Sequence, residues 1–397
     1  MEFNFTAYNN QEINKKILED LSFIKKKVLQ NNFGIIRLFL VGGFGRGEGS
    51  VMYNADKIVP LNDYDFLVVI KKKSKSILRK LSALGKKLAK EIHIDFVDFM
   101  VYTPEDLEKE KNQETLFLFE AINAYYVVYQ DKSFDFALPD LSIKMVSAYE
   151  MLRLLFNRAA CFLESARAEL EGNKIIGIVL EKNDIFYALR QLNKTIIACG
   201  DTILFLYQKY KISYVERAKE LKELGFFSNK EKKTIEDAYL MKVFPDKIRE
   251  VSNPFNYWKD AIKIYQKTLN YFIKKYFNLE TSDTRIDQLI QRYRYNYNNP
   301  LTILIKIFVD FSQKFGNNNL FASSWPERII TWDNYRFDDV WWGMVLIIFY
   351  INPENFSFKK ELEQLVEKTL RLKKPESNKN WNFYRQQALI RWNLYKH

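Results

Sequence analysis

The sequence predicts an α+β fold: a mixed sheet with flanking helices, followed by a mainly α-helical C-terminal region. Three observations predict it. Apolar β-type runs alternate with a helix-period segment between residues 35 and 101, and a glycine-dense stretch joins the first two runs. From about residue 141 the text turns to long segments with helical spacing. At 397 residues the chain has room for two or three domains of roughly 100–200 residues, and the composition shifts divide it into 1–140, 141–280 and 281–397.

In order along the chain, Ile13, Ile17, Leu21, Ile24 and Leu29 sit at near-helical spacing and predict an opening helix over 13–30, ended by Asn-Asn-Phe-Gly. IIRLFLV (35–41) and DYDFLVVI (63–70) read as strands, the Lys/Ser-rich text near 74–91 as a helix, and IHIDFVDFMV (92–101) as a strand. Thr103-Pro104-Glu105-Asp106 carries a cap, a proline at the first helical position and acids in the first turn. AYYVVYQD (124–131) is a further strand. Helices are expected over 143–171, 183–210, 229–242 and 255–277, with an internal boundary near 279–300.

Hydrophobic residues make up 47% and aromatics 16%, enough apolar surface for a folded core. Sixty-one Lys and Arg against 49 Asp and Glu leave a net charge of +12, which favours anionic partners such as nucleotides or RNA. Cys161 and Cys199 are the only cysteines, so neither a disulfide framework nor a cysteine-based zinc site is available. With only His93 and His397 as histidines, histidine-based nucleophilic catalysis has a poor starting point. No signal-peptide pattern opens the chain, and the strongest apolar run, 341–351, is too short to span a bilayer. A cytoplasmic protein with no membrane partner is the expectation.

Chemistry concentrates in LFLVGGFGRGEGS (38–50), NDYDFLVV (62–69) and IHIDFVDF (92–99). Asp63 and Asp65 are two apart in an expected strand, so both side chains face one way with Cα atoms about 6–7 Å apart. Hard cations such as Mg2+ prefer carboxylate oxygens, and a third carboxylate on a neighbouring strand would complete a site for phosphoryl transfer. Asp95 and Asp98 compete for that place and lie on opposite faces of a continuous strand. Asp98 shares its face with Ile92, Ile94 and Phe96, which leaves Asp95 as the expected partner. A DxD pair is also the ordinary composition of a solvated strand end. The glycines 42, 43, 45, 47 and 49 follow a strand directly, where backbone amides can approach phosphate closely. Walker A, Rossmann and kinase patterns are all absent.

Gly42-Gly43, then Asp63-Tyr64-Asp65 with apolar flanks, then Asp95 in a later strand, resembles the DNA polymerase beta-type nucleotidyltransferase superfamily. Locally, GGFGRGEG followed by NDYDFLVV is similar to the glycine-turn and DxD segment of protein uridylyltransferases within it. The resemblance covers residues 1–135, with one departure: nineteen residues, 44–62, separate Gly43 from Asp63, a longer insertion than family members commonly carry. It implies a polymerase beta-like nucleotidyltransferase mixed sheet as the catalytic domain, with a nucleoside triphosphate over the Gly42–Gly43 turn. Mg2+ or Mn2+ would be held by Asp63, Asp65 and Asp95, the last acting as ligand or general base.

The activity implied is transfer of a nucleoside monophosphate onto a hydroxyl or similar acceptor, with release of pyrophosphate. Arg46 would stabilise the β and γ phosphates, or else pair with Glu48 or a helix end. Lys194, on an otherwise apolar helical stretch, is the candidate from the helical region for the triphosphate. A salt bridge to Asp201 or snorkelling of its stem are the alternatives. Tyr214 could stack on the base or pack in a core. The acceptor stays open between small molecule, protein and RNA; the basic aromatic segments RYRYNYNNP (292–300) and YFIKKYF (271–277) suit RNA and equally suit amphipathic helices. The Trp-rich segment 325–343 suits a ligand platform or a satellite core. A non-catalytic nucleotide-binding or partner-binding protein on the same fold is the competing class.

Overall fold

The computed structural model describes residues 3–54, 57–61, 63–110, 115–276, 337–370, 372 and 380–396. The expected boundary near 279–300, the RYRYNYNNP segment and most of the Trp-rich segment lie outside the described residues. The fold is α+β, with a small mixed sheet among helices. Two compact units share the chain: one takes residues up to Glu150 together with Leu204–Glu250, the other takes Met151–Ile203 and the residues from Val251 onward. Residues 204–250 therefore return to the first unit rather than continuing one helical domain through 141–280. No helix among the described residues is long and apolar enough to cross a membrane.

In the first unit, α1 (Gln11–Leu29) starts where the Asn10 side chain accepts from the amides of Glu12 and Ile13, as an N-cap should. β1 (Ile35–Val41) is buried along its whole length and runs into a four-residue helix, α2 (Gly42–Gly45). The insertion folds as an antiparallel hairpin, β2 (Val51–Asn54) and β3 (Lys57–Pro60). β4 (Tyr64–Ile70), α3 (Lys75–Glu91) and β5 (Val97–Tyr102) follow, then α4 (Pro104–Glu110), α5 (Leu116–Asn123) and β6 (Tyr126–Gln130). The expected start of α4 takes the form of a capping box: Thr103 Oγ accepts from Asp106 N at 3.1 Å, and Asp106 returns a carboxylate oxygen to Thr103 N at 3.0 Å.

The sheet order is β5-β4-β1-β6, with β4 and β5 parallel and the other pairs antiparallel. One face is dry. Leu38, Leu40, Tyr64, Phe66 and Val68 meet Ile13, Ile17, Leu21 and Ile24 of α1 and Leu81 and Leu88 of α3 in one apolar cluster. Alternation along β4 then turns Asp65 to the opposite face from Tyr64 and Phe66. Tyr64 keeps its hydroxyl satisfied at depth by donating to Asp20 at 3.0 Å.

The chain next forms α6 (Ala148–Ser165), the hairpin β7 (Ala166–Glu171) and β8 (Lys174–Leu180), and α7 (Ile185–Leu206). A helix through 171 is expected from the sequence, and the hairpin corrects it. In ARAELEGNKIIG the apolar positions recur every second residue, and Gly172 takes φ +55 at the turn, so period two prevails over the helical reading. α8 (Tyr214–Glu223) and α9 (Asn229–Val243) belong to the first unit; α8 has no counterpart among the expected elements. α10 (Pro254–Tyr276), α11 (Phe337–Phe349), α12 (Glu363–Thr369) and α13 (Trp381–Lys396) complete the second unit. Its core stacks Trp258 on Phe162 at 5.3 Å and sets Trp381 edge-on at 5.9 Å. Trp341 and Trp342 are buried against Phe156, which makes them core residues.

Candidate active site

Strand register assembles the acidic cluster. Asp65 in β4 pairs with Val41 on the antiparallel side, the last residue before Gly42, and with Asp98 of β5 on the parallel side. Neighbours in a parallel register point to the same face, so Asp65 and Asp98 stand side by side, while the next pair along, Tyr64 and Val97, is buried in the apolar cluster. Asp63, immediately before the strand, adds its charge. Burial, then the charges of Asp63 and Asp98, push the Asp65 carboxyl up to about 7, with Lys242 and Arg46 pulling the other way. Asp98 is exposed as a residue, yet the partial burial of its carboxyl raises it too.

Asp95 is not brought into this cluster. The expectation that it is the third carboxylate assumed one strand from Ile92, but β5 starts only at Val97 and Asp95 lies exposed in a bend. The reason is the end of α3. Ile92 N donates to Leu88 O, Ile94 N donates to Ala89 O at 3.0 Å, and His93 takes φ +59, the left-handed residue of a Schellman-type stop. Ile92 and Ile94 thus close a helix, and their parity says nothing about β5. Counted from Val97, it is Asp98 that shares the face of Asp65.

Gly42 is required by both conformation and space. Its φ is +66, and a Cβ there would lie 2.5 Å from Asp65 Oδ2. Gly43 and Gly42 together open α2, where backbone N–H groups have no carbonyl one turn back.

Arg46 and Glu48, in the same loop, both bond to distant parts of the first unit. Arg46, only 7% exposed as a side chain, donates from Nε to Gly42 O at 3.1 Å, and one terminal nitrogen reaches Ile212 O at 3.1 Å and Glu120 Oε1 at 3.4 Å. Its guanidinium lies 4.8 Å from the Tyr214 ring centre. Its Nε and one terminal nitrogen are thus engaged by protein acceptors, which is the pairing alternative to the expected phosphate role. Glu48 is buried and accepts from Ser213 Oγ at 2.6 Å, Tyr214 N at 2.8 Å and Val215 N at 3.2 Å. Tyr214 is clasped between Arg46 and Arg217, and packs near Tyr239, so it is a packing residue rather than a free stacking platform.

Glu120 is the electrostatic hub beneath the turn. It accepts from Tyr210 Oη at 2.6 Å, from Arg46, and from Arg217, itself 1% exposed. Burial alone would raise Glu120, but the two guanidiniums and the hydrogen bonds from Tyr210 and Arg217 bring it down to about 2.

Lys194 lies half-buried on α7 in the second unit, whereas Asp63, Asp65, Asp98 and Gly42 belong to the first. Besides Arg46, the first unit brings Lys242 to bear on Asp65; it lies near the end of α9, and its carbonyl accepts from Ser50 Oγ at the close of the glycine loop. Nothing in MKVF (241–244) marks that lysine in the sequence, because its partner lies 177 positions away.

Among the described residues no three His, Cys, Asp or Glu side chains are close enough to form a ready metal-holding group. The chemistry of the donor set nevertheless fits a hard divalent cation: carboxylate oxygens sharing a sheet face, with like charges crowding Asp65. No family model matches the chain, and no curated protein matches it.

Proposed function

We propose that the first unit is a metal-dependent nucleotidyltransferase with a polymerase beta-like sheet, moving a nucleoside monophosphate from a nucleoside triphosphate onto an acceptor hydroxyl. The register pair Asp65–Asp98 beside the close-packed Gly42 turn carries this reading, because it sets hard oxygen donors next to backbone amides suited to phosphate. Asp63, Asp65 and Asp98 would hold Mg2+ or Mn2+, which supplies Lewis-acid stabilisation of the charge on the phosphates.

The remaining work falls to the protein's own groups. The Gly42 and Gly43 amides face the phosphate chain, and Lys242 neutralises it from the α9 side. Asp98, the most exposed of the three carboxylates, takes the acceptor hydroxyl's proton at a carboxylate oxygen. The acceptor oxygen bonds to the α-phosphorus, the bond from that phosphorus to the bridging oxygen breaks, and pyrophosphate leaves. A small molecule, a protein or RNA would serve as acceptor. Two buried free thiols, Cys161 and Cys199, suit a reducing compartment such as the cytoplasm.

Incubation with each α-labelled nucleoside triphosphate, Mg2+ or Mn2+, and a cell extract tests the reading. Label is expected on one acceptor class, lost in Asp65→Asn and retained in Asp95→Asn. No label with any nucleotide, and no metal-dependent nucleotide binding, would favour the non-catalytic alternative.

A further inference from the structure

We infer that Glu48 is a positioning residue for the nucleotide: by capping α8 it fixes the place of the Gly42–Gly43 turn without touching the substrate. This rests on the nucleotidyltransferase reading. The loop grips itself through both glycine carbonyls. Arg46 N donates to Gly42 O at 3.1 Å, Glu48 N donates to Gly43 O at 2.8 Å, and Arg46 Nε returns to Gly42 O.

The side chains of the same two residues are then bolted to residues 210–217. Glu48 takes the first two amides of α8, Tyr214 N and Val215 N, and Ser213 Oγ takes the third, Glu216 N, at 3.2 Å. A carboxylate at a helix start is favoured by the unpaired N–H groups and the dipole there. A self-contained glycine turn has no need to bury a carboxylate, which is costly unless every lone pair is served. Here the served lone pairs all lead to α8.

Tolerance in the turn is small. The Cβ position of Gly42 is only 2.5 Å from Asp65 Oδ2, so the turn packs against β4 with no room for a side chain, and the Glu48 and Arg46 bonds tie it on the other side. Glu48 is 6% exposed, so any effect it has on nucleotide must travel through the turn.

The test compares wild type, Glu48→Gln and Ser213→Ala in steady-state kinetics and in Mg–nucleotide binding by calorimetry, using the nucleotide that labels best. Asp20→Asn, which weakens the buried Tyr64–Asp20 contact on the opposite sheet face, serves as the stability control. Glu48→Gln should raise KM and Kd for the nucleotide about tenfold, the low end for one charge-assisted hydrogen bond. Its kcat should stay within about twofold. Ser213→Ala should move KM the same way by less, and Asp20→Asn should lower stability with KM unchanged.

A Glu48→Gln protein that loses stability but keeps its KM and Kd would overturn the inference and leave a plain helix cap. So would a fall in kcat at constant KM. Hydrogen exchange at Gly42–Phe44 separates the two ideas. Faster exchange there in Glu48→Gln than in stability-matched Asp20→Asn supports the clasp even if wild type binds no nucleotide, in which case only the catalytic reading and the nucleotide role fall. Equal exchange in the two variants overturns the clasp itself.

Discussion

Replacing Glu120 by Gln neutralises the hub beneath the glycine turn while keeping its shape. The folded carboxyl sits at about 2 against an ordinary value of 4.5, a gap of 2.5 units. At about 1.36 kcal/mol per unit that is a ceiling of about 3 kcal/mol, and with the side chain 21% exposed we expect about 2 kcal/mol. Because the folded value is depressed, the stabilisation is complete above pH 4.5 and drains away as pH falls toward 2. Glu120→Gln should therefore be destabilised by about 2 kcal/mol at pH 7, with the gap from wild type closing between pH 4.5 and 2.5.

The assay must read the first unit. The described tryptophans, Trp258, Trp341, Trp342, Trp381 and Trp392, lie in the second unit, so tryptophan fluorescence is a poor probe of this change. Peptide-resolved hydrogen exchange over β1 and β4, corrected for the intrinsic rate at each pH, reports it directly. A variant within about 0.5 kcal/mol of wild type at pH 7 would refute the reasoning, as would a gap that stays constant down to pH 2.5. Either outcome would mean that Arg46 and Arg217 find other compensation.

Three further outcomes follow from the site. Asp98→Asn should abolish nucleotidyl transfer with the fold retained by circular dichroism while Asp95→Asn keeps at least half the wild-type rate; the reverse pattern would restore the sequence-based choice of Asp95. Gly42→Ala forces a side chain into the left-handed region, at about 1–2 kcal/mol, and drives a methyl group onto Asp65, so activity should vanish alongside a lower thermal midpoint. Lys242→Ala should raise the nucleotide KM at least tenfold with smaller loss of kcat, and Lys242→Arg should recover part of it; an unchanged KM would remove Lys242 from the site.

Legibility of the sequence tracked how local each determinant is. The strands expected at 35–41 and 63–70, the second starting at Tyr64, and the capped helix after Thr103 depend on near neighbours, and the structure holds them. Parity favours Asp95 over Asp98 only when it is carried across a helix stop. His93 at φ +59 breaks the count, and a histidine after an apolar residue gives little warning of it. The β7–β8 hairpin shows the same weakness: its alternation and Gly-Asn turn were present in the text but lay inside a longer helix-like run.

The residues hardest to read are those whose partners are distant. Arg46 reads as a phosphate ligand in the sequence because a cation inside a glycine loop demands an explanation, with pairing to Glu48 or a helix end as the alternative. The structure supplies another through Glu120, Ile212 and the start of α8, at separations of 74, 166 and 165–167 residues. A charged side chain within a few residues of a phosphate-suited turn thus has two physically equivalent uses. Burial with three donors from the start of α8 on one carboxylate, as at Glu48, marks the structural use. The proposed reading therefore gives the triphosphate to Lys242, while Glu48 and the bonds Arg46 makes to Gly42, Ile212 and Glu120 hold the turn in place.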